Sequence, residues 1–266
     1  MSARHPIKSN KIPGKPDGRR VGVARALSKL GLASRTVAAQ WVCAGRVSVN
    51  GKIITDPESP AMLERDELRL DGVPVRAAVK RYVMLNKPRG LVTSARDERG
   101  RATVYSCFAN PQDHALAPVG RLDKASEGLL LFTNDTEWAS RLLDPVSHLR
   151  KTYHVQLNSL FTESQCAQFR EGLPVEDGTL LKVSEVKLLR AGDKTSWLEI
   201  ILHEGKNRQI RRLMEACGVE VLRLIRVAIG PLVLGELAKG ESRALTPHEL
   251  DALSAEADAR IKIPNM

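Results

Sequence analysis

Residues 120–135, GRLDKASEGLLLFTND, join a charged loop to an apolar run. Glycines stand on both sides of the loop, where the backbone needs unusual angles, and the run 129–132 predicts a strand that is buried on both faces. Asp123 lies in the loop between Arg121 and Lys124. A loop carboxylate beside basic residues is usually solvated and structural, so the remaining sequence must decide whether this one has a chemical role.

Composition favours a globular protein with a polyanionic partner. The chain has 266 residues, of which 42% are hydrophobic, and this is enough for a small module plus a domain of catalytic size. Forty-one Lys and Arg residues against 31 Asp and Glu residues give a formal net charge of +10. Such an excess is typical of proteins that bind nucleic acid or an anionic membrane surface.

The sequence excludes the membrane alternative. No apolar stretch approaches the roughly 20 residues that cross a bilayer, and no basic helix carries a wide aromatic face. Residues 1–20 lack the apolar segment of a secretory signal and predict a flexible basic arm on a cytoplasmic protein. Nucleic acid is therefore the expected partner.

The distribution of cysteine and histidine predicts no metal centre. The cysteines form no C-x-x-C pair and have no histidine at ligand spacing, so we expect reduced thiols that lie mostly in the core: Cys43, Cys107, Cys166 and Cys217. The motif HEGKN at 203–207 lacks the second ligand that a helical metal site needs.

Residues 21–75 predict a small α+β module. A first apolar-periodic helix stops at a glycine, and a second helix is expected from Arg35 to about Cys43. Alternating apolar residues then surround Asn50-Gly51, the strongest short hairpin signal, and Asp71-Gly72 predicts a second tight turn.

Basic residues gather around the second helix and the first hairpin of this module: Arg25, Lys29, Arg35, Arg46 and Lys52. Such a cluster could simply be a solvated face. Residues 23–51, VARALSKLGLASRTVAAQWVCAGRVSVNG, however, resemble the small RNA-binding module first known from a protein of the small ribosomal subunit. That resemblance implies RNA contacts by Arg25, Arg35 and Arg46. One departure is Thr36, where the family often has a second arginine.

A second domain is predicted over 81–260. Its first strand, in YVMLNKPRG, is expected to end at residues 86–88. The alternation in RKTYHVQL places Tyr153 on the apolar face of a strand with Val155 and Leu157. For Tyr153 alone, a core tyrosine with a locally bonded hydroxyl is the commoner outcome. A capping box at Thr246 predicts a terminal helix.

The segment 196–218, SWLEIILHEGKNRQIRRLMEACG, predicts a half-buried strand, a glycine turn and a helix that ends near Cys217. On that helix Arg208, Arg211 and Arg212 share one face, which would suit an anion near the helix start. An ordinary amphipathic surface helix is the alternative.

Three segments, GRLDKASEGLLLFTND, KTYHV and GKNRQIRRLMEACG, preceded by LNKPRG, resemble the pseudouridine synthases of the ribosomal-RNA type. The resemblance implies an α/β (α+β) fold: the small N-terminal module and a catalytic domain with a mostly antiparallel mixed sheet flanked by helices. It implies no cofactor, ribosomal RNA as the partner and a monomeric enzyme. In this family Asp123 would be the catalytic carboxylate, Tyr153 would stack on the target base and assist the final proton removal, and Arg211 would pair with Asp123. Substrate contacts are expected from Arg121, Leu122, Lys87 and Arg208.

Physical chemistry is consistent with these roles. Isomerising a uridine is redox-neutral, so it needs neither a nicotinamide nor a metal. A carboxylate could attack the sugar, attack the base or remove a sugar proton, and the sequence leaves these three roles open. Two other classes are the alternatives: a non-catalytic structured-RNA-binding protein acting in ribosome assembly, and a nucleoside hydrolase, which would gather several acids around a metal or a ribose.

Overall fold

The protein is represented by a computed structural model, which describes residues 20–94, 97, 99–110, 113 and 115–261, without the side chains of residues 260 and 261. The basic arm predicted at 1–20 thus lies outside the described residues except for Arg20. The chain forms two compact units, one ending at Ala77 and the other starting at Ala78, with residues 31–34 belonging to the second unit. The predicted domains, 21–75 and 81–260, have bounds close to these.

The first unit is a small α+β module with two helices and six short strands. In chain order these are β1 Val21–Gly22, α1 Val23–Lys29, α2 Arg35–Cys43, β2 Val47–Val49, β3 Lys52–Ile54, β4 Pro60–Ala61, β5 Leu68–Leu70 and β6 Val73–Pro74. Four strands form an antiparallel sheet in the order β3-β2-β5-β6, while β1 pairs with β4.

Both predicted tight turns of this unit are confirmed. Asn50 and Gly51 have φ angles of 50° and 80°, and Asp71 and Gly72 have 51° and 80°. Two successive positive φ angles define the type I′ turn, whose twist matches that of a hairpin. The prediction of α2 is also confirmed, since the helix runs over Arg35–Cys43.

The second unit contains a nine-stranded mixed sheet flanked by helices. Its elements are β7 Tyr82–Lys87, β8 Ala117–Val119, β9 Glu127–Thr133, α3 Thr136–Leu143, β10 Lys151–Leu157, α4 Glu163–Glu171, β11 Leu173–Pro174, β12 Leu180–Leu181, β13 Glu185–Ala191, β14 Ser196–Leu202, α5 Gln209–Ala216, β15 Val221–Ile229, β16 Leu232–Val233, β17 Ser242–Ala244 and α6 Pro247–Ile261. Short 3₁₀ helices occupy Val104–Cys107 and Pro145–Ser147. The predicted fold class is confirmed.

The strand order is β13-β14-β10-β15-β9-β7-β17, with β16 on β15 and β8 on β9. All pairings in this sheet are antiparallel except that of β15 with β9, which aligns Ile225 with Glu127 and Arg226 with Gly128. Farther along the same edge of β9, β8 pairs with residues 131–133. The short parallel pairing of β15 with β9, called the seam below, therefore joins two antiparallel halves of the sheet. Beyond the seam β8 replaces β15 as the neighbour of β9, and the place where β15 and β8 separate is called the fork.

Gly128 makes the seam possible. Its φ is 100°, and a Cβ atom at this position would lie 2.3 Å from the carbonyl oxygen of Arg226. Real side chains do not approach a backbone oxygen so closely, so β15 and β9 can meet here only at a glycine.

Apolar side chains form separate clusters around the sheet. One lies with α4 and α5 and includes Phe169, Ile200 and Leu213, and a second lies under the 3₁₀ helix and includes Leu85 and Phe132. A third cluster holds α3 and α6. Every residue of β9 is buried, which confirms the buried strand predicted from the apolar run.

The terminal helix begins as predicted. The hydroxyl of Thr246 accepts a hydrogen bond from the backbone N–H of Glu249 at 3.2 Å, and the Glu249 carboxylate accepts one from the N–H of Thr246 at 2.8 Å. Within the described residues no helix is both long enough and apolar enough to span a bilayer.

Candidate active site

The loop that carries Asp123 is fixed by hydrogen bonds to its backbone carbonyl oxygens. Each carbonyl oxygen from residue 122 to residue 126 accepts a hydrogen bond. The donors are the Thr93 hydroxyl, the Ser126 N–H, the Gly90 N–H, the Arg211 guanidinium and the Lys87 ammonium, in that order, at 2.7, 2.9, 2.7, 3.1 and 2.8 Å. The carboxylate of Asp123 accepts no hydrogen bond from a described residue, and 42% of that side chain is exposed.

Lys87, at the end of β7, lies beneath this loop. It is completely buried and donates to the carbonyl oxygens of Ser126 at 2.8 Å and Pro88 at 3.1 Å. Burial lowers the pKa of Lys87 to about 8, although the negative charge of Asp123 opposes this shift. The ammonium group thus holds the loop in place through two carbonyl oxygens, and the predicted substrate contact of Lys87 stays a prediction.

Arg211 occupies a similar place on the other side of the loop. It lies on α5 with 8% exposure and donates to the carbonyl oxygens of Ala125 at 3.1 Å and Val221 at 3.4 Å. Burial lowers the pKa of Arg211, the nearby charge of Arg208 lowers it further, and the charge of Asp123 raises it. Arg211 is thus close enough to Asp123 for electrostatic attraction, but it makes no ion pair with it.

The cation that does pair with Asp123 is Arg208, whose Nη1 lies 3.9 Å from Oδ2. Arg208 precedes α5 in the left-handed conformation, with φ of 49°, and its side chain is exposed. The predicted basic face of the helix is therefore wrong in two respects. Arg211 faces the interior, and Arg212 is engaged by Asp177 at 2.6 Å. Arg208 also pairs with Glu215 at 3.4 Å, and it keeps the most exposed side chain of the three.

Tyr153 lies on β10 and packs against two clusters, that of Phe169, Ile200 and Leu213 and that of Leu85 and Phe132. The predicted apolar face is confirmed. The structure gives its hydroxyl no hydrogen bond to any described residue, so the alternative of a locally bonded core tyrosine is not supported. In the sheet register Tyr153 is flanked by Ile200 on β14 and Arg226 on β15, and Arg226 is next to Gly128 on β9.

The other predicted contact residues differ in exposure. Leu122 is buried in the cluster of Leu85 and Phe132, and its predicted contact with substrate stays a prediction. Arg121 is exposed. In the first unit Arg25 and Arg35 are exposed, whereas Arg46 donates to the carboxylate of Asp71 at 3.0 and 2.6 Å.

Two further observations concern ligands. The described residues contain no group of three or more His, Cys, Asp or Glu side chains placed to hold a metal ion. The cysteines are free thiols. Cys166 is buried in the core, Cys107 and Cys217 are partly buried and pack against core clusters, and Cys43 is exposed, so three of the four lie in or against the core as expected.

Sequence reasoning missed Arg226. This residue is only 6% exposed and donates from Nε to the carbonyl oxygen of Leu129 at 2.7 Å. A basic residue in the apolar run VLRLIRVAI of β15 was an available signal, because an unpaired charge is rare inside a central strand.

Known proteins match most of the chain. The family model for RNA pseudouridylate synthase matches residues 81–216, and the model for the S4 domain matches residues 22–61. Ribosomal large subunit pseudouridine synthase B of Bacillus subtilis (strain 168) is 37% identical over 237 residues, which cover 88% of this chain and 96% of that protein. The protein of the same name from Pseudomonas aeruginosa is 34% identical over 250 residues, covering 91% of this chain and 64% of that protein. A crystal structure of a pseudouridylate synthase matches with a TM-score of 0.62 and 31% identity, covering 88% of this chain and 99% of that one.

Proposed function

Because this chain belongs to the RNA pseudouridylate synthase family and carries an S4 domain, we propose that it isomerises a uridine of ribosomal RNA with Asp123 as the essential carboxylate. The observation that carries this assignment is the restraint of the loop. Five successive carbonyl oxygens are bonded while the carboxylate of Asp123 projects from a fixed backbone. Fixed placement of one reactive group is the preorganisation that catalysis requires.

The charges around the carboxylate suit the chemistry. Arg208 pairs with it at 3.9 Å, and Arg211 and Lys87 lie beneath its loop. These positive charges surround the carboxylate, whether it attacks the sugar, attacks the base or removes a sugar proton. No net oxidation or hydrolysis occurs, since the base leaves its ribose through nitrogen and rejoins it through carbon.

Tyr153 is the aromatic surface that a flipped base needs. Its ring is fixed between two apolar clusters, and its hydroxyl has no partner among the described residues. A uracil removed from its stack loses stacking energy, which an aromatic face can restore. The unbonded hydroxyl is then available to assist removal of the last proton from the reattached base.

Ribosomal RNA of the large subunit is the substrate that the relatives favour. The two relatives described above bear the name ribosomal large subunit pseudouridine synthase B, and the match extends through both units. We propose that Arg25 and Arg35 of the S4 domain contact phosphates of this RNA. We also propose a monomer that acts in the cytoplasm; sedimentation of the free protein would test the first of these.

One experiment separates the three classes of function. Purified protein is incubated with large-subunit ribosomal RNA transcribed with labelled uridine, and the digested nucleosides are separated. We expect pseudouridine from the wild type and none from Asp123→Asn, which keeps the shape of the side chain and removes its charge. Free uracil would instead indicate a hydrolase, and bound but unmodified RNA would indicate a non-catalytic binding protein.

A further inference from the structure

One buried cation has no role in the site described so far. Arg226 is fixed by its Nε bond to the carbonyl oxygen of Leu129, in the fork between β15 and β8 on the edge of β9. Its Nη2 is buried, and no described residue accepts a hydrogen bond from it. A buried guanidinium hydrogen without an acceptor costs free energy, so its retention calls for a reason.

A second cation lies close to the first. Lys151 stands two residues before Tyr153 on β10, is partly exposed and donates to the carbonyl oxygen of His203 at 3.3 Å. Burial lowers the pKa of Lys151 to about 8, and the charge of Arg226 contributes to this shift. The two cations therefore repel each other.

Neither cation is neutralised within the described part of the chain, where no carboxylate forms an ion pair with Lys151 or Arg226. The contrast with Arg223, on the same strand, is direct. Arg223 makes two 3.0 Å hydrogen bonds to the carboxylate of Glu127, and Lys239 approaches the same carboxylate at 2.6 Å. The strand thus neutralises one arginine and leaves the other without a counter-charge.

We propose that Arg226 and Lys151 form a phosphate subsite, which receives a phosphodiester group of the RNA next to the uridine bound at Tyr153. This inference rests on the proposed function. Tyr153 and Arg226 are paired across adjacent strands, and the Cα atoms of such a pair lie about 5 Å apart. One nucleotide can therefore place its base at Tyr153 and its phosphate at Arg226. The partly exposed Lys151 and Tyr153 form the open side of the subsite, and Arg226 forms its buried wall.

A phosphate is the ligand that suits this pair. It carries a full negative charge, which offsets the repulsion between the two cations, and a guanidinium binds its oxygens with good geometry. A carbonyl oxygen of the base could accept a hydrogen bond from Nη2, but it would leave both positive charges uncompensated. RNA affinity that comes from a phosphate contact therefore falls with rising salt concentration, whereas affinity that comes from a base contact does not show this dependence.

The test measures binding without chemistry. RNA affinity is determined for Asp123→Asn over a series of salt concentrations, and then for the same protein with Lys151→Met, Lys151→Arg or the control Lys187→Met. Lys187 is an exposed lysine of β13 in the same unit. Arg226→Lys is a second variant, which keeps the charge of the buried wall and removes its fixed donors.

We expect Lys151→Met to flatten the slope of log affinity against log salt by about 0.7 to 0.9, the contribution of one phosphate contact. When the salt concentration is lowered from 1 M to 0.1 M, the increase in RNA affinity should then be roughly 5- to 8-fold smaller for Lys151→Met than for its parent. Lys151→Arg and Lys187→Met should keep the parental slope. Arg226→Lys should keep the slope and lose affinity.

An unchanged slope in Lys151→Met would overturn the subsite, as would an equal change in Lys187→Met. Failure of the proposed function has a different signature, because wild-type protein would then form no pseudouridine whatever the salt slopes show. The two inferences can thus fail separately.

Discussion

Cations of the two units look alike in the sequence and differ in the structure. In the first unit Arg25 and Arg35 are exposed. In the second unit Lys87 and Arg211 are buried, and each is bonded to a carbonyl oxygen of the loop that carries Asp123. Basic residues of the first kind can reach RNA directly, whereas those of the second kind fix the backbone around a reactive group.

The difference has an energetic basis. An exposed cation keeps its hydration, and its attraction to phosphate is screened by salt over about 8 to 10 Å. A buried cation has lost its hydration, and hydrogen bonds to carbonyl oxygens offset only part of that cost. Removing the first kind should therefore weaken binding, and removing the second should disturb the fold and the chemistry.

The most severe test removes the group that the buried cations surround. Asp123→Asn should lower the single-turnover rate on the order of 10³-fold or more, the scale found when an essential catalytic group is lost. RNA affinity should stay within about 2-fold, because the carboxylate is a poor partner for phosphate. Rapid quench with saturating RNA gives the rate, and a near wild-type rate would contradict the assignment.

Tyr153→Phe separates stacking from proton transfer. The ring remains, so RNA affinity should hold, while the rate should fall by roughly 10²-fold if the hydroxyl assists proton removal. Affinity and single-turnover rate are measured on the same RNA. A loss of affinity with an unchanged rate for bound RNA would reduce Tyr153 to a binding surface.

Arg211→Ala and Arg208→Ala compare the two kinds of cation within a single site. Arg211→Ala leaves the Ala125 and Val221 carbonyl oxygens without their donor, so the free energy of unfolding should fall by about 2 to 4 kcal/mol. Arg208→Ala removes an exposed side chain and should change the free energy of unfolding by less than about 0.5 kcal/mol, while weakening RNA binding. Urea denaturation and filter binding provide the two readouts. Equal destabilisation by both variants would break the comparison.

The pH dependence of stability tests whether the ammonium group of Lys87 is buried. Its pKa is lowered from the ordinary value of 10.5 to about 8. Between these values the unfolded chain holds the proton and the folded chain does not, so the destabilising charge of Lys87 is fully present below pH 8 and is relieved as pH rises towards 10.5. The stability of wild type relative to Lys87→Met should therefore rise from pH 7 to pH 10. A difference that is flat over this range would show that the ammonium group is not desolvated.

The smallest effect is expected in the first unit. Arg25→Gln and Arg35→Gln should each flatten the salt dependence of RNA binding by about 0.7 to 0.9 without changing the saturated rate. The matched control is Arg69→Gln, because Arg69 already pairs with Glu67 at 2.8 Å. Salt slopes equal to that of the wild type would mean that these arginines are merely solvated.

Local signals allowed much of this to be predicted from sequence. The Asn50-Gly51 and Asp71-Gly72 turns and the buried β9 follow from a few adjacent residues, and each is confirmed. The three segments that resemble pseudouridine synthases also predicted the family, which the matches to known proteins confirm. The roles of the individual site residues stay predictions.

Burial of the charged residues could not be predicted in this way. Periodicity placed Arg208, Arg211 and Arg212 on one exposed face, but α5 starts only after Arg208, whose left-handed backbone turns it away from the helix. The depth to which Arg211 is buried depends on residues 125 and 221, which are distant in sequence. Arg226 was missed for the same reason, since its bond reaches Leu129, 97 residues away.

The parallel seam at Gly128 also bears on how the enzyme folds. Strands β7, β8 and β9 belong to one contiguous stretch and β10 to β16 to another, so most pairings within each half close shorter loops than the seam does. Closing the long loop between Leu129 and Arg226 costs more chain entropy than most pairings within one half, so the seam should form after the transition state. Asp123 and Lys87 belong to one half, whereas Tyr153, Arg211 and Arg226 belong to the other. The candidate site is thus complete only after its two halves have met, and damage to the seam should accelerate unfolding while leaving the folding rate almost unchanged.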